Sequence, residues 1–195
     1  MIARRLRLAQ ILSVFGHPFV LVPLTIVLSF APSQRGGRLF TVLGIFIAST
    51  ILPLILLIRR KVRTKEWTDA DVSNRQQRQH FYYFTLGILA LSIPIAWLFG
   101  MPAQLITGTA VSLALLAAGL LINTRFKISM HMMFAAYCAV ILARADSAFV
   151  LCAMAILLAL GWSRLVLRRH TVPEVIYGSL LGATAGLVMR WLINR

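Results

Sequence analysis

Ser163-Arg164-Leu165-Val166-Leu167-Arg168-Arg169-His170-Thr171-Val172-Pro173-Glu174 separates two long apolar runs. Three arginines, a histidine and a carboxylate stand where one hydrophobic segment ends and the next begins. Residues Val172 to Ile193 read as a helix, so His170 and Glu174, four positions apart at its entrance, share a face. That spacing lets a carboxylate hold a histidine and make it more basic. A second reading stands beside it: Thr171, Pro173 and Glu174 also make the pattern of a capping box, and the arginines suit a cytoplasmic helix flank. The chemical reading gains from a second stretch, Lys127-Ile128-Ser129-Met130-His131, because two of only four histidines then occupy equivalent helix entrances.

Composition sets the class of molecule around these stretches. A chain of 195 residues with 59% hydrophobic and 13% charged residues does not have enough polar side chains to cover a soluble domain. The reading is all-α: a polytopic membrane bundle of six or seven transmembrane helices forming a single domain over residues 1–195. Cys138 and Cys152 lie inside apolar runs without paired spacing, which argues against a disulfide framework and a metal cage. The net charge of +15 sits at the ends of apolar segments, so its partners are anionic membrane lipids and not nucleic acid. Met1-Ile2-Ala3-Arg4-Arg5 resembles a signal-peptide n-region, but no small-residue cleavage pattern follows, and the segment is read as a retained first helix.

Apolar runs of about 20 residues, the length that crosses a hydrocarbon core, place spans near Leu8 to Phe30, Leu39 to Ile58, Phe81 to Phe99, Gln104 to Ile122, Ile128 to Ala143, Ser147 to Leu167 and Val172 to Ile193. Alternating sides then put the Arg59 to His80 loop, the Asn123 to Lys127 turn and the Arg164 to His170 turn on the side of the N terminus. Of the 20 Lys and Arg residues, Arg35, Arg38, Arg144, Arg190 and Arg195 fall on the opposite side and the other 15 on this one. By the positive-inside rule this face is cytoplasmic, in the inner or cell membrane of a bacterium or archaeon.

The loop Lys61 to Gln79 carries Glu66, Asp69 and Asp71 with Trp67, Arg75 and Arg78. Two nearby aspartates without a third ligand are a weak metal signal, and Trp67 reads as an anchor in the headgroup zone. His17, within the first apolar run, reads as a packing residue, and His80 as facing the headgroups. Gly178, Gly182 and Gly186 recur every four positions on the last helix, which favours close helix packing.

Ser163-Arg164, five residues, His170, three residues and an acid resembles the third signature of the type 2 phosphatidic acid phosphatase superfamily, SR-x5-H-x3-D. Ser129-Met130-His131 resembles its second, PSGH, and Asn74-Arg75-Gln76-Gln77-Arg78 the arginine end of its first, K-x6-RP. The three occur in the family's order, from about Asp69 to Gly182. Departures are Asp71 at the lysine position, Gln79 for the proline after Arg78, Ile128 for proline, Met130 for glycine and Glu174 for aspartate.

The resemblance implies a metal-independent, cofactor-free hydrolysis of a lipid phosphate or prenyl (di)phosphate. His170 would be the nucleophile, Glu174 would orient it, and His131 would protonate the departing alkoxide and then activate water. Phosphate would be held by Arg78 and Arg164, with Lys127, two residues before Ser129, or Arg75, one helical turn from Arg78, in place of the missing lysine, and by Ser129 and the backbone N–H of Met130 at a helix start. The alternative is a non-enzymatic membrane protein that keeps a lipid-phosphate pocket, which the departures favour.

Overall fold

Pro18 decides how the chain begins. It has no N–H to give to the carbonyl of Val14, which accepts from His17 N–H at 3.1 Å instead, and the apolar run breaks there. The run expected as one span from Leu8 to Phe30 is therefore two helices, α1 (Ile2–Phe15) and α2 (Pro18–Phe30), bent by 50°. The computed structural model describes residues 2–30, 36–72, 74–143 and 147–195; Arg35 and Arg144, assigned above to the outer side, lie outside them. Among the described residues there is no strand, and α3 (Gly36–Phe46), α4 (Leu52–Arg63), α5 (Arg75–Leu98), α6 (Ala103–Asn123), α7 (Met130–Leu142), α8 (Ser147–Val166) and α9 (Val172–Ile193) complete the all-α molecule.

Five described stretches are long and apolar enough to cross a membrane: Gly37–Arg63, Arg75–Leu98, Ala103–Asn123, Phe149–Val166 and Val172–Ile193. The bent α1–α2 pair adds a sixth where it is counted as one broken span, and α7 is a shorter apolar helix. Large apolar side chains such as Leu151 and Leu158 on α8 and Leu180 and Leu187 on α9 are exposed. Surfaces of this kind need lipid in place of water, and the chain is a multi-pass membrane protein.

Two units pack separately. The first joins Met1–Ser29 to Ile128–Arg195. Its spine is the pair α7 and α9, whose contact follows the glycines. A Cβ on Gly178 would lie 2.7 Å from the Ser129 carbonyl oxygen, one on Gly182 1.9 Å from that of Met133, and one on Gly186 2.7 Å from Val140 Cβ. The partner residue advances with the glycine, so the two helices run parallel with backbones nearly touching. At the far end Arg190 Nη1 donates to the Ala143 carbonyl at 2.6 Å, satisfying a group that the end of α7 leaves open. Leu21, Met132, Leu160 and Val175 then pack α2, α7, α8 and α9 around one apolar cluster.

The second unit is Phe30–Lys127. Within its span Gly37–Arg63, α3 and α4 are joined by a π-helical turn, Ile47–Ile51. Pro53 withholds the N–H that would reach the Ser49 carbonyl. The Ser92 hydroxyl of α5 approaches that carbonyl at 3.4 Å and Thr50 Oγ1 at 3.0 Å, so the defect is closed by side chains. The loop that follows is folded on itself. Lys61 pairs with Glu66 and holds its carboxyl below the usual carboxylate range, and Gln77 reaches back to the Glu66 carbonyl at 3.2 Å. Trp67 is buried with its ring edge-on to Phe81 at 6.2 Å, so it is a core residue of this loop and not a headgroup anchor.

Candidate active site

Three local devices bring His170 to the entrance of α9. Helix α8 ends in a Schellman motif: Arg169 N–H donates to the Arg164 carbonyl at 3.1 Å and Arg168 N–H to the Leu165 carbonyl at 3.0 Å. Arg168 takes the left-handed conformation, φ 52°, where glycine is usual, and the chain reverses tightly. Thr171, with φ −88° and ψ 165°, then starts α9 in extended geometry, and Pro173 in the first turn has no N–H to leave unsatisfied.

Glu174 carries out both readings that the sequence left open. One oxygen, Oε2, lies 2.7 Å from His170 Nδ1 and also accepts from the Thr171 N–H at 3.3 Å. The carboxylate thus closes the helix start and fixes the imidazole. With Nδ1 directed at a carboxylate, the proton sits on that nitrogen and the lone pair of Nε2 is turned away from it, the tautomer a nucleophile needs.

The Ser129-Met130-His131 stretch stands beside the Glu174 entrance. Ser129, fully buried, caps α7 by accepting from Met132 N–H at 3.4 Å, while its own N–H donates to the Glu174 carbonyl at 3.0 Å. That bond joins the entrances of two parallel helices. His131 is therefore two residues beyond Ser129 on α7, and His170 four residues before Glu174 at the start of α9, both at the same end of this unit. His131 is buried, and the ring of His17 stands at 90° to it with centroids 4.9 Å apart.

Arg164 belongs to the same unit. It is 1% exposed in the last turn of α8 and its Nη1 donates to the Ser13 hydroxyl of α1, while the neighbouring Ser163 hydroxyl donates to the Ala9 carbonyl at 2.8 Å. Nothing in local spacing pointed to Ser13 or His17, because their partners lie more than a hundred residues away. The third-signature pattern was the signal for Arg164; there was none for what holds it.

Arg75, Arg78 and Lys127 lie in the other unit. Arg75 Nε donates to the Asn123 carbonyl at 2.8 Å and Nη2 to that of Thr124, so this side chain closes the end of α6. Arg78 is 2% exposed, with Nε donating at 3.1 Å to the carbonyl of Val72, itself at φ 49°. Lys127 is half-buried in the turn before Ile128, and Met130 half-buried at the start of α7. No protein-family model, curated protein or solved structure was found to match the chain.

Proposed function

We propose that this chain is a membrane phosphatase that hydrolyses a lipid phosphate or a prenyl (di)phosphate through a phosphohistidine. The single observation behind this is the 2.7 Å contact of His170 Nδ1 with Glu174, at a helix entrance bonded through Ser129 to the entrance that carries His131. Nε2 of His170 attacks phosphorus and the bond to the leaving oxygen breaks. His131, protonated at that stage, gives its proton to the alkoxide or phosphate that departs. The neutral His131 then takes a proton from water, whose oxygen attacks the phosphohistidine, and inorganic phosphate and free His170 are released.

Charge for the transferring phosphoryl group comes from Arg164, with Arg78 assigned to the same task by the resemblance alone and Lys127 by its place two residues before Ser129 in the sequence. Arginine suits it because its planar fork meets two phosphate oxygens at once. A site at the entrances of apolar helices favours an amphiphile that arrives laterally from the bilayer. The charge bias of the loops favours a cytoplasmic site, in the cell membrane of a bacterium or archaeon.

The test is release of inorganic phosphate by the purified protein from phosphatidate, phosphatidylglycerophosphate and prenyl mono- and diphosphates. Orthovanadate is expected to inhibit, and EDTA to leave the rate unchanged, because side-chain cations supply the charge in this scheme. Activity lost on chelation and restored by a divalent cation would overturn the metal-independent mechanism.

A lipid-phosphate-binding protein without turnover is the second reading. It is favoured by Ser129, whose N–H is committed to Glu174, and by Arg75, committed to the α6 carbonyls, since both then have fewer donors for phosphate. Phosphate mimics that bind while no substrate of the panel is cleaved would select it.

A further inference from the structure

The bent first span lies outside the stretch from Asp69 to Gly182 that carries the family resemblance, yet its two polar residues at the break each meet a signature residue. Ser13 and His17 are four positions apart, one on the last turn of α1 and the other in the gap before α2. The Ser13 hydroxyl accepts from Arg164 Nη1, and the His17 ring stands edge-on to His131 at 4.9 Å. We propose that this broken span is part of the reaction site, with Ser13 the positioning residue for Arg164 and His17 the positioning residue for His131. The proposal rests on the phosphatase reading for the roles of Arg164 and His131, and on the contacts themselves for the rest.

The break is built to hold these two side chains still. Gly16 N–H donates to the Leu12 carbonyl at 2.8 Å, and the His17 carbonyl accepts from Val20 at 2.8 Å and Leu21 at 3.0 Å. Gly16 itself lies against α8: a Cβ there would be 2.4 Å from Leu160 Cδ1. The hydroxyl of Ser163 reaches the Ala9 carbonyl one turn before Ser13, so α1 is tied to α8 on both sides of the Arg164 contact. His17 Nδ1 accepts from Phe19 N–H at 3.1 Å, which leaves the ring proton on Nε2 and fixes the ring plane.

A hydroxyl is a fitting holder for a phosphate arginine. A carboxylate in its place would compete with the substrate for the cation, whereas the serine oxygen directs one N–H without adding a negative charge of its own. The edge of His17 against His131 restricts ring rotation at the residue that must point its proton at a leaving oxygen. Misplacement of such a group by about 1 Å can cost about 10²-fold in rate.

Three measurements on the full-length purified protein test this, each beside a thermal unfolding curve to show that the fold is kept. Ser13→Ala is expected to raise KM for the cleaved lipid phosphate and the inhibition constant of orthovanadate about tenfold with kcat little changed, and Ser13→Thr to restore both. In an Arg164→Lys background the same Ser13→Ala change is expected to have no further effect, because its only route to phosphate is through the guanidinium. His17→Ala is expected to lower kcat about tenfold at constant KM, and His17→Phe, which keeps an edge-on ring, to recover most of it.

Additive losses in the Ser13 and Arg164 double variant, or no KM change in Ser13→Ala, would overturn the role of Ser13. A His17→Phe rate as low as that of His17→Ala would overturn positioning by ring packing. Should the wild type bind vanadate without cleaving any substrate, the phosphatase reading fails while Ser13→Ala still has to weaken vanadate binding. A wild type that neither binds vanadate nor cleaves would sink both.

Discussion

Glu174 shows how much one side chain can be asked to do at the scale of a residue. Its Oε2 serves the Thr171 N–H and His170 Nδ1 together, so truncation and neutralisation have different consequences. Glu174→Gln keeps an oxygen that can accept from Thr171 N–H, and the helix start with it, but removes the negative charge behind the imidazole. We expect unchanged thermal stability and a kcat lower by about 10²-fold, within the range of general acid–base contributions. Glu174→Ala loses the cap as well and is expected to unfold earlier, by about 1 kcal/mol. Equal activity in Glu174→Gln and wild type would remove the orienting role. His170→Ala is expected to abolish phosphate release and His131→Ala nearly so, both with an intact fold; a fully active His170→Ala protein would end the phosphohistidine scheme. The His170 and Glu174 pair was legible in the sequence as a spacing of four at a helix entrance, although His170 stands just outside the helix and the capping turn at Thr171, more than helical periodicity, brings the two together. Ser13 was not, since the fold alone brings it to Arg164 across 151 positions.

Elements were legible where apolar length alone decides them, and α9 begins and ends at Val172 and Ile193 as its hydropathy predicts. The break in the first apolar run went unread although Gly16-His17-Pro18 was in plain view, because the apolar count ignores a missing N–H. Trp67 was misjudged for a related reason: an aromatic beside a membrane helix suits the interface, and only the fold of the loop buries it against Phe81. The glycine stripe of α9 was read as a packing surface, and its spacing sets the contact with α7. Gly182→Ala places a methyl where the Met133 carbonyl oxygen stands, so α9 must move away from α7, and with it the His170 entrance from that of His131. We expect a loss of about 1–3 kcal/mol, the range for overpacking, with a parallel fall in activity. Gly87→Ala, where nothing lies within 4 Å, is the control and should be neutral or slightly stabilising. Equal melting of the two variants in detergent would refute the close α7–α9 contact.

For the whole molecule, orientation in the membrane is the property that sequence addresses most directly, since it depends on where cations stand along the chain. With the seven spans read from hydropathy, fifteen of the 20 Lys and Arg residues are expected on the side of the polar stretches around Arg78, His131 and His170. If Arg75, Arg78, Lys127 and Arg164 are set aside as candidates for phosphate or for structural bonds, that reading still has 11 against 5, with Arg59, Arg60, Lys61 and Arg63 at the end of α4 and Arg168 and Arg169 just before α9. Short loops with this bias stay in the cytoplasm. Asn74 is a suitable reporter: it is exposed and caps α5 with Oδ1 accepting from Gln76 N–H at 2.9 Å. Its replacement by cysteine costs about 1 kcal/mol of cap energy and leaves the span in place. In a background lacking Cys138 and Cys152, we expect that cysteine to resist a membrane-impermeant maleimide in intact cells and to react after permeabilisation. Labelling in intact cells would place the signature face outside. It would also turn the search for a substrate toward lipid carriers that shed their phosphate on the external leaflet.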